Sequence, residues 1–169
     1  MVPIPWMYVK SWSCITCNRC CKGFNVILSF NEWINIVRTY GVGATVPSIN
    51  QIQLKKKADS TCVFLYKYFD RWLCGLQHMK PKACKLWPFR ILKNPKYGRA
   101  QKAIFTRWKK NFFIYVDPLC PGIKWGTPTW ELTHKTLPEF LEIGIGVREK
   151  QLFSTSNTRK PGYHQILRR

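Results

Sequence analysis

The eight cysteines of this chain constrain its fold more than any other feature, because four of them fall close together. These four form the run Cys14-x2-Cys17-x2-Cys20-Cys21, and the others stand alone at Cys62, Cys74, Cys84 and Cys120. A Cys-x2-Cys loop lets two thiolates reach one metal while nearby backbone N–H groups donate hydrogen bonds to sulfur. We therefore predict that all eight cysteines are metal ligands.

The pattern leaves the kind and number of metal centres open. A third cysteine follows at the same spacing, so the loop can continue around the metal centre, as in the cluster-binding run of bacterial ferredoxins. We therefore predict one or two [4Fe–4S] clusters. Two zinc ions, each held by four thiolates, are the alternative. Adjacent cysteines do not easily point into one cluster, so Cys20 and Cys21 either serve two centres or include one spare thiol. His78 is a further candidate ligand, although a loop histidine beside basic residues is more often a surface contact.

The chain does not need disulfides to fold. Its 169 residues, of which 46% are hydrophobic, are enough for one domain with a sizeable core. The segment Met1–Lys10 lacks the basic start and small-residue cleavage site of a signal peptide. We therefore expect a cytoplasmic protein with reduced thiols, with disulfides as the alternative in a hyperthermophile. No apolar run approaches the roughly 20 residues of a membrane-spanning helix, so we expect no membrane association.

The charge is strongly one-sided. Twenty-eight Lys and Arg stand against eight Asp and Glu, which gives a net charge of +20. Between Asp70 and Asp117 there are 12 basic residues and no acidic one in 46 positions. Such a surface favours a polyanionic partner, of which nucleic acid is the commonest.

Aromatic residues alternate with these charges, and rings of this kind can stack on unpaired bases. Tyr97 and Trp108 lie at predicted hairpin turns and are the best exposed candidates. We predict the following RNA-binding residues: Lys80, Lys82, Lys85, Arg90, Lys93, Lys96, Tyr97, Arg99, Lys102, Arg107, Trp108, Lys109, Lys110, Arg159, Lys160, Arg168 and Arg169. Basic tails on a small metal-stapled domain are typical of ribosomal proteins. We therefore predict a structural ribosomal protein that binds ribosomal RNA and neighbouring ribosomal proteins, and we recognise no small-molecule substrate.

We predict an α+β fold: a small, irregular, metal-stapled cysteine-cluster domain with a short antiparallel sheet, two helices and basic terminal arms. Residues 1–13 are expected to form an aromatic arm, 14–153 the metal-binding domain and 154–169 a basic tail. The first helix begins at the capping box Ser29-x2-Glu32 and ends at Gly41. The second is expected from Pro138 to about Lys150. Strands are expected around 25–28, 49–55, 63–66, 90–93, 103–107 and 112–116.

The elements between the cysteines resemble those of a known family. Cys14-x2-Cys17-x2-Cys20-Cys21 followed by Gly23, Lys80-Pro-x2-Cys84, Trp87-Pro-Phe89 and Asp117-x2-Cys120-Pro-Gly122 are similar, in order, to the CxxCxxCC cysteine-cluster family. The resemblance covers about residues 14–126. It implies a zinc- or iron-chelating domain and carries the ligand role to the same eight cysteines.

The resemblance also raises the hypothesis of an enzyme, because some members of this family are associated with lysine methylation of flagellin. We find no glycine-rich loop with an acidic ribose binder for S-adenosylmethionine. A radical enzyme would need Cys-x3-Cys-x2-Cys, but position 24 is Phe. The carboxylates around the second helix, Glu131, Glu139, Glu142 and Glu149, are interpreted as a solvated face. A protein lysine methyltransferase and an iron–sulfur electron-transfer protein are kept as alternatives, with an enzyme disfavoured.

Overall fold

The structure, a computed structural model, describes residues 1–152 of the chain. This part is mixed α and β, built from five helices and eleven strands. The helices are Arg19–Lys22 (α1), Phe30–Tyr40 (α2), Lys82–Leu86 (α3), Ala100–Ala103 (α4) and Leu137–Ile145 (α5). The strands are Ile4–Pro5 (β1), Val9–Trp12 (β2), Ile27–Leu28 (β3), Thr45–Ser48 (β4), Gln51–Leu54 (β5), Leu65–Tyr68 (β6), Arg71–Cys74 (β7), Phe89–Leu92 (β8), Ile104–Arg107 (β9), Lys110–Val116 (β10) and Ile123–Trp125 (β11).

These strands form several small sheets rather than the single sheet that the sequence predicts. β10 is the centre of a four-stranded sheet, with β8 along one edge and β9 and β1 along the other. β3–β5–β4 is a three-stranded sheet, and β2–β11 and β6–β7 are two-stranded. Every pairing is antiparallel. The class of the predicted fold is right, but within the described residues the number of sheets and helices is larger.

Two apolar clusters make up the interior. The first, which we call the sheet core, lies between the β10 sheet and α5 and consists of Trp6, Val9, Phe89, Ile114, Val116, Cys120, Ile123, Leu132, Leu137 and Phe140. The second, which we call the cysteine-side core, lies against α2 and consists of Val26, Leu28, Ile36, Ala44, Leu54 and Leu76. Cys62, Cys74 and Cys84 pack against this second cluster.

Helix α2 begins and ends where the sequence predicts. The Ser29 hydroxyl accepts from the backbone N–H of Glu32, whose carboxylate accepts from the backbone N–H of Ser29, which completes the capping box. Gly41 ends the helix with a φ of +80°, a conformation that glycine adopts without steric strain. The buried face, however, is centred on Ile36, and Phe30 is exposed. Glu32 also accepts from the backbone N–H of Lys82, so it joins the starts of α2 and α3.

The N-terminal residues do not form a separate arm. β1 pairs with β10, β2 pairs with β11, and Trp6 and Val9 are buried in the sheet core. The indole N–H of Trp6 also donates to the backbone carbonyl of Ile104, at 3.0 Å. The aromatic residues that the sequence assigns to an arm therefore belong to the folded domain. The predicted basic tail, 154–169, lies outside the described residues.

The second predicted helix is shorter than expected. A π-helical turn, Leu132–Thr136, leads into α5, which ends at Gly146 with a φ of +87°. The carboxylates along it are not simply a solvated face. Glu139 is 1% exposed and lies 3.5 Å from the Arg148 guanidinium, which also pairs with Glu142 at 2.8 Å.

No helix within residues 1–152 combines the length and the apolar character that crossing a membrane requires.

Candidate metal centre

All eight cysteines line one cavity between the sheet core and the cysteine-side core. Its volume is about 80 Å³, several times the roughly 10–15 Å³ that one water molecule needs. Apolar side chains of the cysteine-side core, including Val26, Leu54 and Leu76, form much of the remaining wall. The structure therefore brings together cysteines that are up to 106 positions apart, from Cys14 to Cys120.

Short, irregular elements position these thiols. Cys20 and Cys21 lie on α1, a four-residue helix, and Cys84 lies on α3, which has five residues. Cys74 ends β7, so it lies on a strand where the sequence indicates a loop. Cys14 and Cys17 lie between β2 and α1, Cys62 forms an isolated β-bridge with Lys56, and Cys120 lies between β10 and β11. Helices this short do not form on their own, so their positions depend on what they pack against.

Cys20 and Cys21 do not turn away from each other. Their sulfur atoms lie 3.9 Å apart and both side chains line the cavity. Around a zinc ion with Zn–S bonds of about 2.3 Å, tetrahedral geometry places sulfurs about 3.8 Å apart. The tight turn of α1 thus directs both thiols to the same cavity, and their assignment to one centre or to two stays a prediction.

Backbone N–H groups point at sulfur in a repeated local arrangement. The N–H of Thr16 donates to Cys14 Sγ at 3.5 Å, and the residues two positions after Cys62, Cys74 and Cys120 donate to those sulfurs in the same way. The indole N–H of Trp12 donates to Cys120 Sγ at 3.4 Å. Hydrogen bonds of this kind stabilise thiolate ligands and tune the metal they hold. The donor set therefore fits a soft metal or an iron–sulfur cluster.

The pKa values of two neighbouring thiols, Cys20 and Cys21, are shifted in opposite directions by the hydrogen bond between them. Burial raises the pKa of Cys62, Cys74, Cys84 and Cys14 above that of a free thiol. The Cys21 thiol donates to Cys20 and lowers the pKa of Cys20 to about 7, whereas the pKa of Cys21 is raised. In the metal-free state most of these thiols are consequently protonated at neutral pH, and metal binding would release their protons.

Lys80 is part of this cavity and not of the surface that the sequence predicts for RNA. Only 8% of Lys80 is exposed, it lines the cavity, and its charge acts on Cys14, Cys20, Cys74 and Cys84. A metal held by four thiolates carries net negative charge, so an ammonium beside it is favourable. Lys85 also lines the cavity, and its ammonium donates to the backbone carbonyl of Glu149.

The thiols surround a space and do not converge on one point. Within residues 1–152, no group of three or more His, Cys, Asp or Glu side chains is arranged to hold a single metal ion. Neither His78 nor His134 is among the residues that line the cavity, and both are exposed. His164 lies outside the described residues. Among the described residues that line the cavity, cysteine is therefore the one residue type that commonly binds a soft metal.

Most of the remaining predicted RNA-binding residues of the described chain lie on or beside β8, β9 and β10, whereas Lys82 begins α3. Lys82, Arg90, Lys93, Lys96, Arg99, Lys102, Arg107, Trp108, Lys109 and Lys110 are exposed. Trp108 and Lys109 form the β9–β10 hairpin turn, and Trp108 is 51% exposed. Tyr97 is half-buried against Tyr115 and accepts from Arg90. Arg159, Lys160, Arg168 and Arg169 fall outside the described residues.

Sequence reasoning missed four residues of the site: Lys80 as a cavity residue, Trp12, Gly122 and Gln151. A Cβ on Gly122 would collide with the Ser13 carbonyl, and the Ser13 N–H donates to the Gly122 carbonyl at 3.1 Å. Lys80 and Gly122 lie close in sequence to Cys84 and Cys120, and this closeness could have identified them as residues of the site. Trp12 and Gln151 carry no such signal, because only tertiary packing brings them to the cavity.

Comparison with known proteins gives one match. The family model CxxCxxCC, described as a "putative zinc- or iron-chelating domain", matches residues 13–121, a range that contains all eight cysteines. No curated protein and no solved structure matches the chain.

Proposed function

This chain belongs to the CxxCxxCC family of zinc- or iron-chelating domains, and from that premise we propose that it is an iron–sulfur protein. Its ligands in this proposal are the eight cysteines of the cavity: Cys14, Cys17, Cys20, Cys21, Cys62, Cys74, Cys84 and Cys120. Bound there, iron–sulfur clusters would link short elements of the fold and supply a redox-active group.

One observation carries the choice of cluster over zinc. The eight thiols line a common cavity of about 80 Å³, yet within the described chain no three of them are arranged around a single ion. In a cluster each cysteine binds a different iron atom, so its ligands surround a group of atoms. A zinc ion needs four sulfurs that converge on one point at about 2.3 Å. The dispersed thiols are the arrangement expected around a cluster.

The surroundings of the sulfurs support the same proposal. Cluster potentials and stability depend on hydrogen bonds to sulfur and on solvent exclusion. Four cysteines receive a backbone N–H from two positions later, and Cys120 also receives the Trp12 indole N–H. The buried Lys80 ammonium offsets the negative charge of the bound state.

The experiment is anaerobic purification followed by determination of iron, zinc and acid-labile sulfide per chain. We expect iron and sulfide in equal amounts, visible sulfur-to-iron absorption that dithionite bleaches, and an electron paramagnetic resonance signal in the reduced protein. Zinc without sulfide, in protein kept free of oxygen throughout, would contradict the iron–sulfur cluster and indicate a zinc-chelating domain instead. A chain that takes up neither metal would contradict metal binding altogether.

RNA binding is a second candidate function, favoured by the exposed basic surface of the β8–β9–β10 side. Within residues 1–152, Arg90 and Arg107 are the members of this surface that form ion pairs, with Asp117 and Glu142. The other cations are available to a polyanion, and Trp108 projects from the hairpin turn with the Arg107 guanidinium 5.3 Å from its ring. We keep ribosomal RNA, with neighbouring ribosomal proteins, as the proposed partner.

The test measures RNA affinity over a range of salt concentrations. Counterion release predicts that log K falls linearly with log salt, with a slope of about −0.7 per phosphate contact on single strands. Trp108→Ala should weaken binding by about 1–3 kcal/mol if the ring stacks on a base. Trp130→Ala is the control, because Trp130 is also exposed, at 64%, but lies on another part of the surface. Equal affinities for the two variants would contradict a role for the hairpin.

A cellular test separates the ribosome from other RNA. Native extract is sedimented through a sucrose gradient with and without RNase, and this protein is probed in each fraction. Migration with a ribosomal subunit, released by RNase, is expected for a ribosomal protein. Migration at the top of the gradient in both samples would exclude it. Lysine methylation and electron transfer stay predictions that direct assays of turnover and redox potential would test.

A further inference from the structure

Backbone contacts, apolar packing and sequence spacing divide the eight cysteines into two groups. We propose that Cys14, Cys17, Cys20 and Cys120 bind one four-thiolate metal centre and that Cys21, Cys62, Cys74 and Cys84 bind a second. The proposal rests on the metal-binding function above and assigns each cysteine to one of its centres. We call these sets the N-terminal set and the central set.

The backbone joins Cys120 to Cys14. β2 and β11 pair with Trp12 opposite Ile123, and the Ser13 N–H donates to the Gly122 carbonyl at 3.1 Å. Cys14 and Cys120 each lie within two residues of this pairing. The Trp12 indole also donates to Cys120 Sγ at 3.4 Å. Cys120 belongs to the sheet core, so this pairing places Cys14 next to that side of the cavity.

A separate chain of contacts joins Cys21, Cys62 and Cys74. The Cys62 N–H donates to the Cys21 carbonyl at 3.0 Å, and the Leu65 N–H donates to the Cys62 carbonyl at 3.0 Å. Leu65 is the direct partner of Cys74 across the β6–β7 hairpin. These contacts place three cysteines of the central set around one turn.

Cys84 joins the central set through the core. Cys62, Cys74 and Cys84 all pack against the cysteine-side core, whereas Cys120 is a member of the sheet core. Cys120 and these three cysteines thus lie against different apolar clusters.

The adjacent pair on α1 is the boundary between the sets. Cys20 continues the three-residue spacing of Cys14 and Cys17, the spacing at which successive cysteines wrap one centre. Cys21 breaks that spacing and is bonded through its carbonyl to Cys62. With Cys20 in one set and Cys21 in the other, each set has four cysteines. Four is the number of cysteine ligands of both a [4Fe–4S] cluster and a structural zinc ion.

Pairs of serine substitutions test the assignment in the anaerobically prepared full-length protein. Cys20→Ser/Cys120→Ser removes two ligands from the N-terminal set, whereas Cys21→Ser/Cys120→Ser removes one from each set. The two variants differ only in which of two neighbouring thiols is lost. We expect the first to keep half of the wild-type metal per chain and the second to keep almost none. Equal metal contents in the two variants would overturn the assignment.

A measurement on the unmodified chain keeps the proposal testable if a variant does not fold. Metal is withdrawn stepwise with a chelator, released thiols are alkylated with iodoacetamide, and the labelled cysteines are mapped by mass spectrometry. We expect two blocks of four, the members of each becoming reactive together. One block of eight, or blocks that mix the sets, overturns the assignment while metal binding stands. Wild-type protein without iron or zinc overturns both.

Discussion

The two sides of the cavity are built in contrasting ways. The sheet core is organised around β10, a seven-residue strand with neighbours on both edges, and around α5, whose residues Leu137, Phe140 and Leu141 are fully buried. The cysteine-side core contains six buried residues, and the segments around it include α1, α3 and two-residue β3. The sheet side has long elements with large apolar side chains, whereas on the cysteine side α2 is long and the segments that carry the cysteines are short.

This difference indicates what stabilises each side. Burying a large apolar side chain contributes about 1.5–3 kcal/mol, so the sheet core can offset the entropy of ordering its own chain. Four-residue helices and two-residue strands bury too little to do the same. The cysteine side therefore depends on cross-links, and a metal centre whose ligands come from four separate segments supplies them.

Metal removal should produce the largest difference in stability between the two sides. In anaerobic chelator we expect the segment 14–87 to lose amide protection while β8, β10 and α5 keep theirs. The reason is that metal binding at a thiolate site can supply much of the folding free energy: apparent binding energies for structural zinc are about 10–16 kcal/mol. Hydrogen exchange measured by mass spectrometry, with metal-replete protein as the control, gives the protection of each segment. Unchanged protection around the cysteines would contradict this comparison.

Gly122→Ala should disturb the junction between the two sides. A Cβ at this position would collide with the Ser13 carbonyl, so the turn that carries Cys120 would move away from Cys14. We expect a loss of about 1–3 kcal/mol in the free energy of unfolding, as for other overpacked sites, together with loss of metal from the N-terminal set.

The control for this substitution is Gly43→Ala. A Cβ on Gly43 would meet nothing within 4 Å, so stability and metal content should stay unchanged. Denaturant titration and metal analysis of both variants make the comparison. Equal stability of the two variants would show that the Ser13–Gly122 contact can relax.

Arg148→Ala should weaken the sheet side and spare the metal. The substitution leaves the buried Glu139 carboxylate without its Arg148 cation. Breaking a buried pair typically destabilises by about 3–5 kcal/mol, and the partial exposure of Arg148 lowers our expectation to about 2 kcal/mol. Denaturant unfolding checks this, with exposed Arg38→Ala on α2 as the control. Metal loss from the Arg148 variant would mean that the two sides are coupled more closely than the contacts indicate.

Lys80→Gln should produce the smallest effect, confined to the cysteine side. Removing the buried ammonium takes away a charge that favours thiolates over thiols, and residues that surround metal ligands typically change affinity by about 10–100-fold. We expect about a tenfold loss, near the lower end of that range. Competition with a chelator measures the affinity, and exposed Lys82→Gln is the matched control. If the two variants lose RNA affinity equally and keep metal affinity, Lys80 would belong to the basic surface after all.

The sequence by itself determined the local features of this protein. The capping box at Ser29 and the glycine at Gly41 defined α2, since both act within a few residues of the helix ends. β-branched and aromatic runs located β9 and β10, although β10 begins at Lys110, two residues before the predicted strand. The spacing of the cysteines and the motifs between them identified the family, since those offsets are readable without a fold.

Only the tertiary structure decided which side chains meet. The sequence marks Trp6 and Trp12 as aromatic but cannot tell an arm from a core, because burial depends on the distant strands β10 and β11. It counts Lys80 and Glu139 as surface charges, whereas packing buries one beside thiols and the other beneath Arg148. The grouping of Cys120 with Cys14 likewise depends on a strand pairing across more than 100 residues. Local spacing specifies which chemistry a residue can perform, and long-range packing specifies where it performs it.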